Sequence, residues 1–346
     1  MPASSYRPPP WLPGAHLQTI WPATFAPRPS IAWRRERWDT PDGDFVDVDF
    51  ADPSLPGASR DTRPPQSIHA GAADPAPSGT PLLVLFHGLE GSSRSHYARA
   101  FADAALRRGW PLAVPHFRGC SGELNRAPRA YHSGDSAEID WMLRRFARLR
   151  GSASPIAAIG VSLGGNVLLK WLGEQREAAG FVCAAVAVSP PQDLHASAVA
   201  LSRGFNLAYT RHFLRTLRRK SLAKLDQFPG LYDRERTRRA RDFFDFDDAV
   251  TAPLHGFASC FDYWERSSCR PFLAGVRVPT LVINARNDPF LPARALAARD
   301  EVSDRVTLDY PAEGGHVGFV RGPLPGRLDW LPGRALDSVA RALADG

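Results

Sequence analysis

Cysteine is scarce. Cys120, Cys183, Cys260 and Cys269 are the only four in 346 residues. So sparse a set cannot staple a chain this long, and no pair is spaced as CxxC, which excludes a disulfide scaffold and leaves a structural zinc site without ligands. The four thiols read as reduced, in a reducing compartment. Lysine is rarer still, at Lys170, Lys220 and Lys224, although Lys and Arg together number 43. Long apolar runs are missing as well. The longest, 81–86 and 181–188, fall far short of the roughly 18–20 residues that span a bilayer. The opening MPASSYRPPPWLPG lacks the apolar core of a secretory signal. These absences predict a soluble, cytoplasmic protein, at most peripheral to a membrane. Neither GxxxxGK[ST] nor HExxH occurs, so no nucleotide, metal or other cofactor is expected.

What is present describes a globular chain, with 44% hydrophobic and 23% charged residues. The net charge of +7 is local. Between residues 203 and 241 stand twelve basic side chains against three acidic ones, so the remainder is slightly negative. No nucleic-acid-binding motif accompanies this charge, and no nucleic-acid partner is expected. Two readings of it stay open: a solvated basic face, or a surface that meets anionic lipid headgroups at a membrane or an acidic leaving group.

From Leu82 onward the chain settles into apolar runs of strand length, at Leu82–Phe86, Leu112–Pro115, 156–160, Val182–Val188, 280–284 and 306–310. Helical stretches lie between them at 97–108, Ser136–Arg150, Leu163–Gln175 and 293–299, with a last one near 334–344. Wholly apolar strands alternating with helices predict an α/β fold with a mostly parallel central sheet flanked by helices. Segments 32–38 and 45–50 flank the turn sequence Pro41-Asp42-Gly43-Asp44 and read as an antiparallel hairpin. Residues 51–80, rich in Pro, Ala, Gly, Ser and Asp, read as a mobile surface insertion. The alternation lapses at 191–270, which we read as a helical cap or lid inserted into a core made of 31–190 and 271–346. Residues 1–30 form an N-terminal extension expected to pack on that core. Within the cap, Leu201, Phe205, Tyr209, Phe213 and Leu217 recur every four residues as an apolar helical stripe. Phe205, Tyr209 and Phe213 are its candidates for substrate contact.

Chemistry concentrates in three places. Gly160-Val161-Ser162-Leu163-Gly164 matches GxSxG, with an apolar strand before it and a helical pattern after. A serine on so sharp a turn projects its hydroxyl off the sheet, and small neighbours leave room for the strained backbone. A nucleophilic serine needs a base. His316, in the loop 313–318, follows the last predicted strand, and Asp288, after the strand 280–284, completes the order Ser162, Asp288, His316. Asp193 is the competing acid. The third element is His87-Gly88-Leu89-Glu90-Gly91. An oxyanion hole needs two converging backbone N–H groups, and Leu163 and Leu89 are placed to supply them. His87, which precedes the turn, reads as structural.

The chain resembles the YheT-like branch of the α/β-hydrolase superfamily. The resemblance rests on HLQTIWP (16–22), HGLEGSSRSHY (87–97), HFRGCSGELN (116–125), YHSGD (131–135), GVSLGGN (160–166), TAPLHGF (251–257), NDPFL (287–291) and GGHVGF (314–319). It implies a Ser162–Asp288–His316 triad, an α/β-hydrolase fold with 191–270 as cap, and hydrolysis of a small-molecule acyl ester. With the residues it predicts a serine esterase acting on short- to medium-chain esters through an acyl-enzyme. A lipase or phospholipase working at an anionic membrane is the alternative, and thioesterase, acyltransferase and non-catalytic binding readings stay open. For His16 and Gln18 no mechanism follows from the sequence.

Overall fold

The computed structural model describes residues 6–53, 79–151 and 154–345. The expected surface insertion lies outside them from 54 to 78. An eight-stranded sheet runs through the molecule in the order β1-β2-β4-β3-β5-β6-β7-β8. Its strands are β1 (Arg34–Asp39), β2 (Phe45–Ala51), β3 (Leu82–Phe86), β4 (Leu112–Pro115), β5 (Ile156–Val161), β6 (Val182–Val188), β7 (Thr280–Ile283) and β8 (Val306–Asp309). β1, β2 and β4 pair antiparallel, and β4 through β8 pair parallel.

Side chains alternate across a strand, so an all-apolar strand feeds two cores. In β3, Leu82, Val84 and Phe86 join the core beneath α3 (Ser136–Arg150) and α4 (Leu163–Gln175). Leu83 and Leu85 join the opposite core, beneath α2 (His96–Leu106) and α11 (Trp330–Ala344). This is the α/β sheet covered on both faces that the run lengths predicted. The hairpin is also as expected, and it carries buried charge. Asp47 and Asp49 of β2 are only 2% exposed. Directly across the register stand Arg37 and Arg35. Each arginine grips its carboxylate with two bonds, of 2.8 and 2.9 Å for Arg37 and 2.6 and 2.8 Å for Arg35. Burial alone would raise both carboxyls, but the arginines hold them below their ordinary range.

Two elements differ from expectation. The helix expected at 293–299 is a pair of short 3-10 turns, Ala293–Ala295 and Arg299–Glu301. The amides that would continue it are captured instead: Ala297 N–H donates to Gln192 Oε1 at 2.8 Å and Ala298 N–H to Glu301 Oε2 at 2.7 Å. The apolar stripe of 201–217 is likewise broken. Leu201 ends α5 (Leu194–Leu201), Gly204 turns at φ 54°, and α6 runs Leu207–Gln227. Asn206 clamps the break by donating to the carbonyls of Ala200 and Pro289. Four short helices, α7 (Arg234–Arg239), α8 (Phe243–Phe246), α9 (Ala252–His255) and α10 (Cys260–Ser267), complete the passage from β6 to β7. On the N-terminal side, α1 (Ala15–Thr24) lies against the loops that follow β7 and β8. No helix of the described residues is long and apolar enough to cross a membrane.

One buried cation ties the hairpin turn to α3. Arg118 binds Glu138 at 2.6 Å, Asp42 at 2.8 Å and Asp44 at 2.9 Å. Burial raises the Asp44 carboxyl, but bonds from Asn125, two backbone amides and Arg118 outweigh it, and the group settles at about 2. Arg118→Met should therefore cost about 3–5 kcal/mol, because it strands buried carboxylates. Chemical denaturation checks this. The Asp44 part of the stability is present above its unfolded pKa and disappears as pH falls toward about 2. The loss on mutation should accordingly shrink in acid.

Candidate active site

β5 enters a turn at Ser162, whose backbone sits at φ 53°, ψ −118°, and α4 begins at the next residue. Glycines on either side make that corner sterically possible. A Cβ on Gly164 would collide with the Phe86 carbonyl oxygen, and one on Gly160 with the Gly164 carbonyl. The Ser162 amide donates to Val188 O at 2.8 Å, which anchors the corner to β6. Its side chain therefore leaves the sheet at the carboxyl ends of the strands.

His316 Nε2 lies 2.9 Å from Ser162 Oγ, and His316 Nδ1 lies 2.8 Å from Asp288 Oδ2. Asp288 is oriented in turn, accepting Phe290 N–H at 2.8 Å on its other oxygen. Because the carboxylate can only accept, Nδ1 carries the proton and Nε2 is free to accept from the serine hydroxyl. Phe290 stacks on the imidazole with ring centres 4.1 Å apart. Asp193, the rival acid, instead caps α5 by accepting Ala196 N–H at 2.8 Å. His87 is fully buried, donates to Gly88 O, accepts Phe117 N–H through Nε2, and is pushed down to about 3 by burial. It is a neutral strut.

The turn after β3 comes beside the serine. A Cβ on Gly88 would lie 3.1 Å from Ser162 Cβ. Leu89, in that turn, and Leu163, the first residue of α4, both line the cavity that holds Ser162 and His316. Glu90, next in the turn, adopts φ 55°. Its amide donates to Tyr131 Oη at 2.9 Å, and its Oε1 accepts from Tyr131 Oη at 2.8 Å and from Lys220 Nζ of α6 at 2.9 Å. Helix α6 is thereby fastened to the turn that presents Leu89.

That cavity, of about 130 Å³, is walled mainly by apolar side chains of the β6–β7 passage, among them Leu194, Leu201, Phe213, Leu217, Phe246 and Trp264. Of the three aromatic residues expected to meet substrate, Phe213 lines it, while Phe205 and Tyr209 do not. They precede or open α6 and turn toward α1 instead: Phe205 packs on His16 at 4.6 Å and Tyr209 Oη meets His16 Nδ1 at 3.2 Å. The broken stripe is the reason. The basic surface of 203–241 is also less available than its composition suggests. Lys224 is buried and donates to the carbonyls of Asn125 and Ala127, Arg218 donates to those of Leu214, Arg238 and Ala240, and Arg234, Arg236, Arg238 and Arg239 pair with Asp226, Asp248 and Glu235.

Residues 81–323 match the family model of the alpha/beta hydrolase fold. The protein named "Putative esterase YheT" of Escherichia coli is 38% identical over 327 residues, covering 93% of this chain and 89% of that one. The chain belongs to the α/β-hydrolase family, in its YheT-like branch. The human protein named Phospholipase ABHD3 is 26% identical, over 94% of this chain and 76% of its own. The Pyrococcus furiosus esterase Pf2001 matches in fold, with a TM-score of 0.53 at 16% identity over 90% of this chain and 93% of that one.

The residues sequence reasoning missed are Gln18 and Thr19 of α1. Gln18, 1% exposed, accepts from Gly314 N–H and from the Asn287 amide, both at 2.9 Å, and donates to Leu12 O and Glu313. Thr19 Oγ1 accepts His316 N–H at 2.9 Å. A Cβ on Gly315 would come within 2.8 Å of Thr19 Oγ1, so the Gly-Gly-His loop lies directly on α1. A buried glutamine in an otherwise apolar helical motif was the available signal. Gln18→Ala should destabilise the protein by about 3 kcal/mol, since it leaves several buried polar groups without partners. Hydrogen exchange should quicken at amides 314–317 before the central strands respond.

Proposed function

We propose that this protein is a serine hydrolase of carboxylic esters, with Ser162 as nucleophile, His316 as general base and acid, and Asp288 as the group that orients the imidazole. The observation that carries this reading is the hydrogen-bonded series Asp288–His316–Ser162, at 2.8 and 2.9 Å, with its serine on a positive-φ corner beside an apolar cavity. Ser162 Oγ attacks the ester carbonyl as its proton passes to His316 Nε2, and the Leu89 and Leu163 amides receive the oxyanion. His316 then protonates the leaving alcohol. Water, activated by the same nitrogen, releases the acid from the acyl-enzyme. The helical segment 191–270 acts as a cap whose apolar wall, with Phe213, takes a short- to medium-chain acyl group. Acylglycerol or phospholipid esters form the second reading, favoured by relatives named Phospholipase ABHD3 and Monoacylglycerol lipase.

A fluorophosphonate probe should label the purified protein and leave Ser162→Ala unlabelled. Equal labelling of the two would refute the assignment. Asp288→Asn should cut kcat by about 10⁴ on a p-nitrophenyl ester by favouring the wrong tautomer. Lys220→Met removes the α6 anchor of Glu90, and roughly a tenfold fall in kcat with KM little changed is expected where an oxyanion donor is only misaligned. Lys220→Arg should restore much of it. An unchanged kcat in Lys220→Met would mean that the turn holds its shape without the cap.

A further inference from the structure

Four of the six large apolar side chains that stand exposed among the described residues gather at one end of the molecule: Leu17 at 49%, Phe25 at 63%, Phe205 at 55% and Leu324 at 64%. Leu17 and Trp21 of α1 and Phe25, which caps its C-terminus with its N–H on Trp21 O, are spaced i, i+4, i+8, which puts them on one side of the helix. That face is opposite in purpose to Gln18 and Thr19, which bind the histidine loop. The patch is continuous. Trp21 packs on Phe25 at 4.9 Å and on Trp11 at 5.3 Å, its Nε1–H donates to Pro325 O beside Leu324, and His16, next to Leu17, packs on Phe205. Around it stand Arg7, Arg28, Arg203 and Arg321, all exposed. Among the described residues none of these four has an ion-pair partner, although Arg28 donates to the Ala23 carbonyl, whereas the arginines of α7 are paired. Arg7 and Arg321 flank Trp11 in one shallow cleft.

We infer that this α1 face docks on an anionic lipid surface. Aliphatic and Phe side chains inserted at the acyl boundary, tryptophans at headgroup level and unpaired arginines around them are the chemistry such a surface recognises. The charge complementarity selects a membrane over a neutral apolar partner. The site of contact overlaps the basic segment 203–241 only at Arg203 and Phe205; Arg211, Arg215, Arg219 and Arg241 of that segment are also exposed, but among the described residues no exposed large apolar side chain other than Phe205 accompanies them. From the patch a line of rings leads inward, Phe205–His16–Tyr209–Phe290–His316, each within about 6 Å of the next. Docking here brings bilayer-held esters to the side of the molecule on which His316 lies. This last step rests on the proposed ester hydrolysis; the docking itself does not.

The test uses the full chain carrying Ser162→Ala, so that binding is read without turnover. It should sediment with vesicles of phosphatidylcholine mixed with phosphatidylglycerol, and less with phosphatidylcholine alone or at high salt. Adding Leu17→Ser, Phe25→Ser and Leu324→Ser should lower binding about tenfold or more, while the same three changes in the active protein leave turnover of a soluble ester intact. Wild-type binding by the triple variant, or no vesicle binding by the parent, overturns the inference. So does a parent dimer that the triple variant dissociates in sedimentation velocity, which would make the patch a self-interface. If the triple variant unfolds, Arg7→Glu with Arg321→Glu decides: the same loss supports docking, and unchanged binding refutes it. Vesicle binding by a protein inactive on every ester would leave the docking standing and remove the hydrolysis.

Discussion

Everything at the candidate site depends on one unfavourable backbone conformation, Ser162 at φ 53°. An L-residue does not stay there by preference. It is held because β5 is locked between β3 and β6, because its own amide is bound to Val188 O, and because Gly160 and Gly164 let α4 close against the end of β3. The two wholly apolar cores on either side of the sheet supply the rigidity. The strain is local and the support is global, so the serine's placement is a property of the whole sheet.

Around that corner, charge is used to fasten loops rather than to decorate the surface. Arg118 joins the hairpin to α3, Lys220 joins α6 to the turn bearing Leu89, and Lys224 closes the far end of α6 on the carbonyls of Asn125 and Ala127. Arg118 and Lys224 each meet several acceptors at once, which fixes direction as well as distance. Within the basic segment 203–241, Lys220 and Lys224 thus serve to fasten the β6–β7 passage to the core.

How much of this was legible in the sequence depended on the range of the interactions. The sheet and its flanking helices could be read, because an apolar run like Leu82–Phe86 or a period like that of 136–150 reports its own burial. The residues now seen as Ser162, Asp288 and His316 in one hydrogen-bonded series could be named, because each stands in a turn with a short signature after a predicted strand. What failed was decided by distant partners. The 293–299 segment has helical composition, but Gln192 takes one of its amides. Phe205 and Tyr209 keep the spacing of Phe213, yet a break at Gly204 and the pull of His16 turn them elsewhere. Gln18 could be singled out in its motif, but its role could not be read, for the same reason: its partners lie at 287 and 314.

The bond from Gln18 to Gly314 spans 296 positions of a 346-residue chain. The base and the segment that seats it therefore emerge from the ribosome far apart in time. A chain growing from its N-terminus holds Ser162, its oxyanion turn and most of the sheet long before any imidazole can reach the serine. The candidate nucleophile thus waits for its base through the 154 positions that separate Ser162 from His316, and until that stretch is made the serine is unassisted.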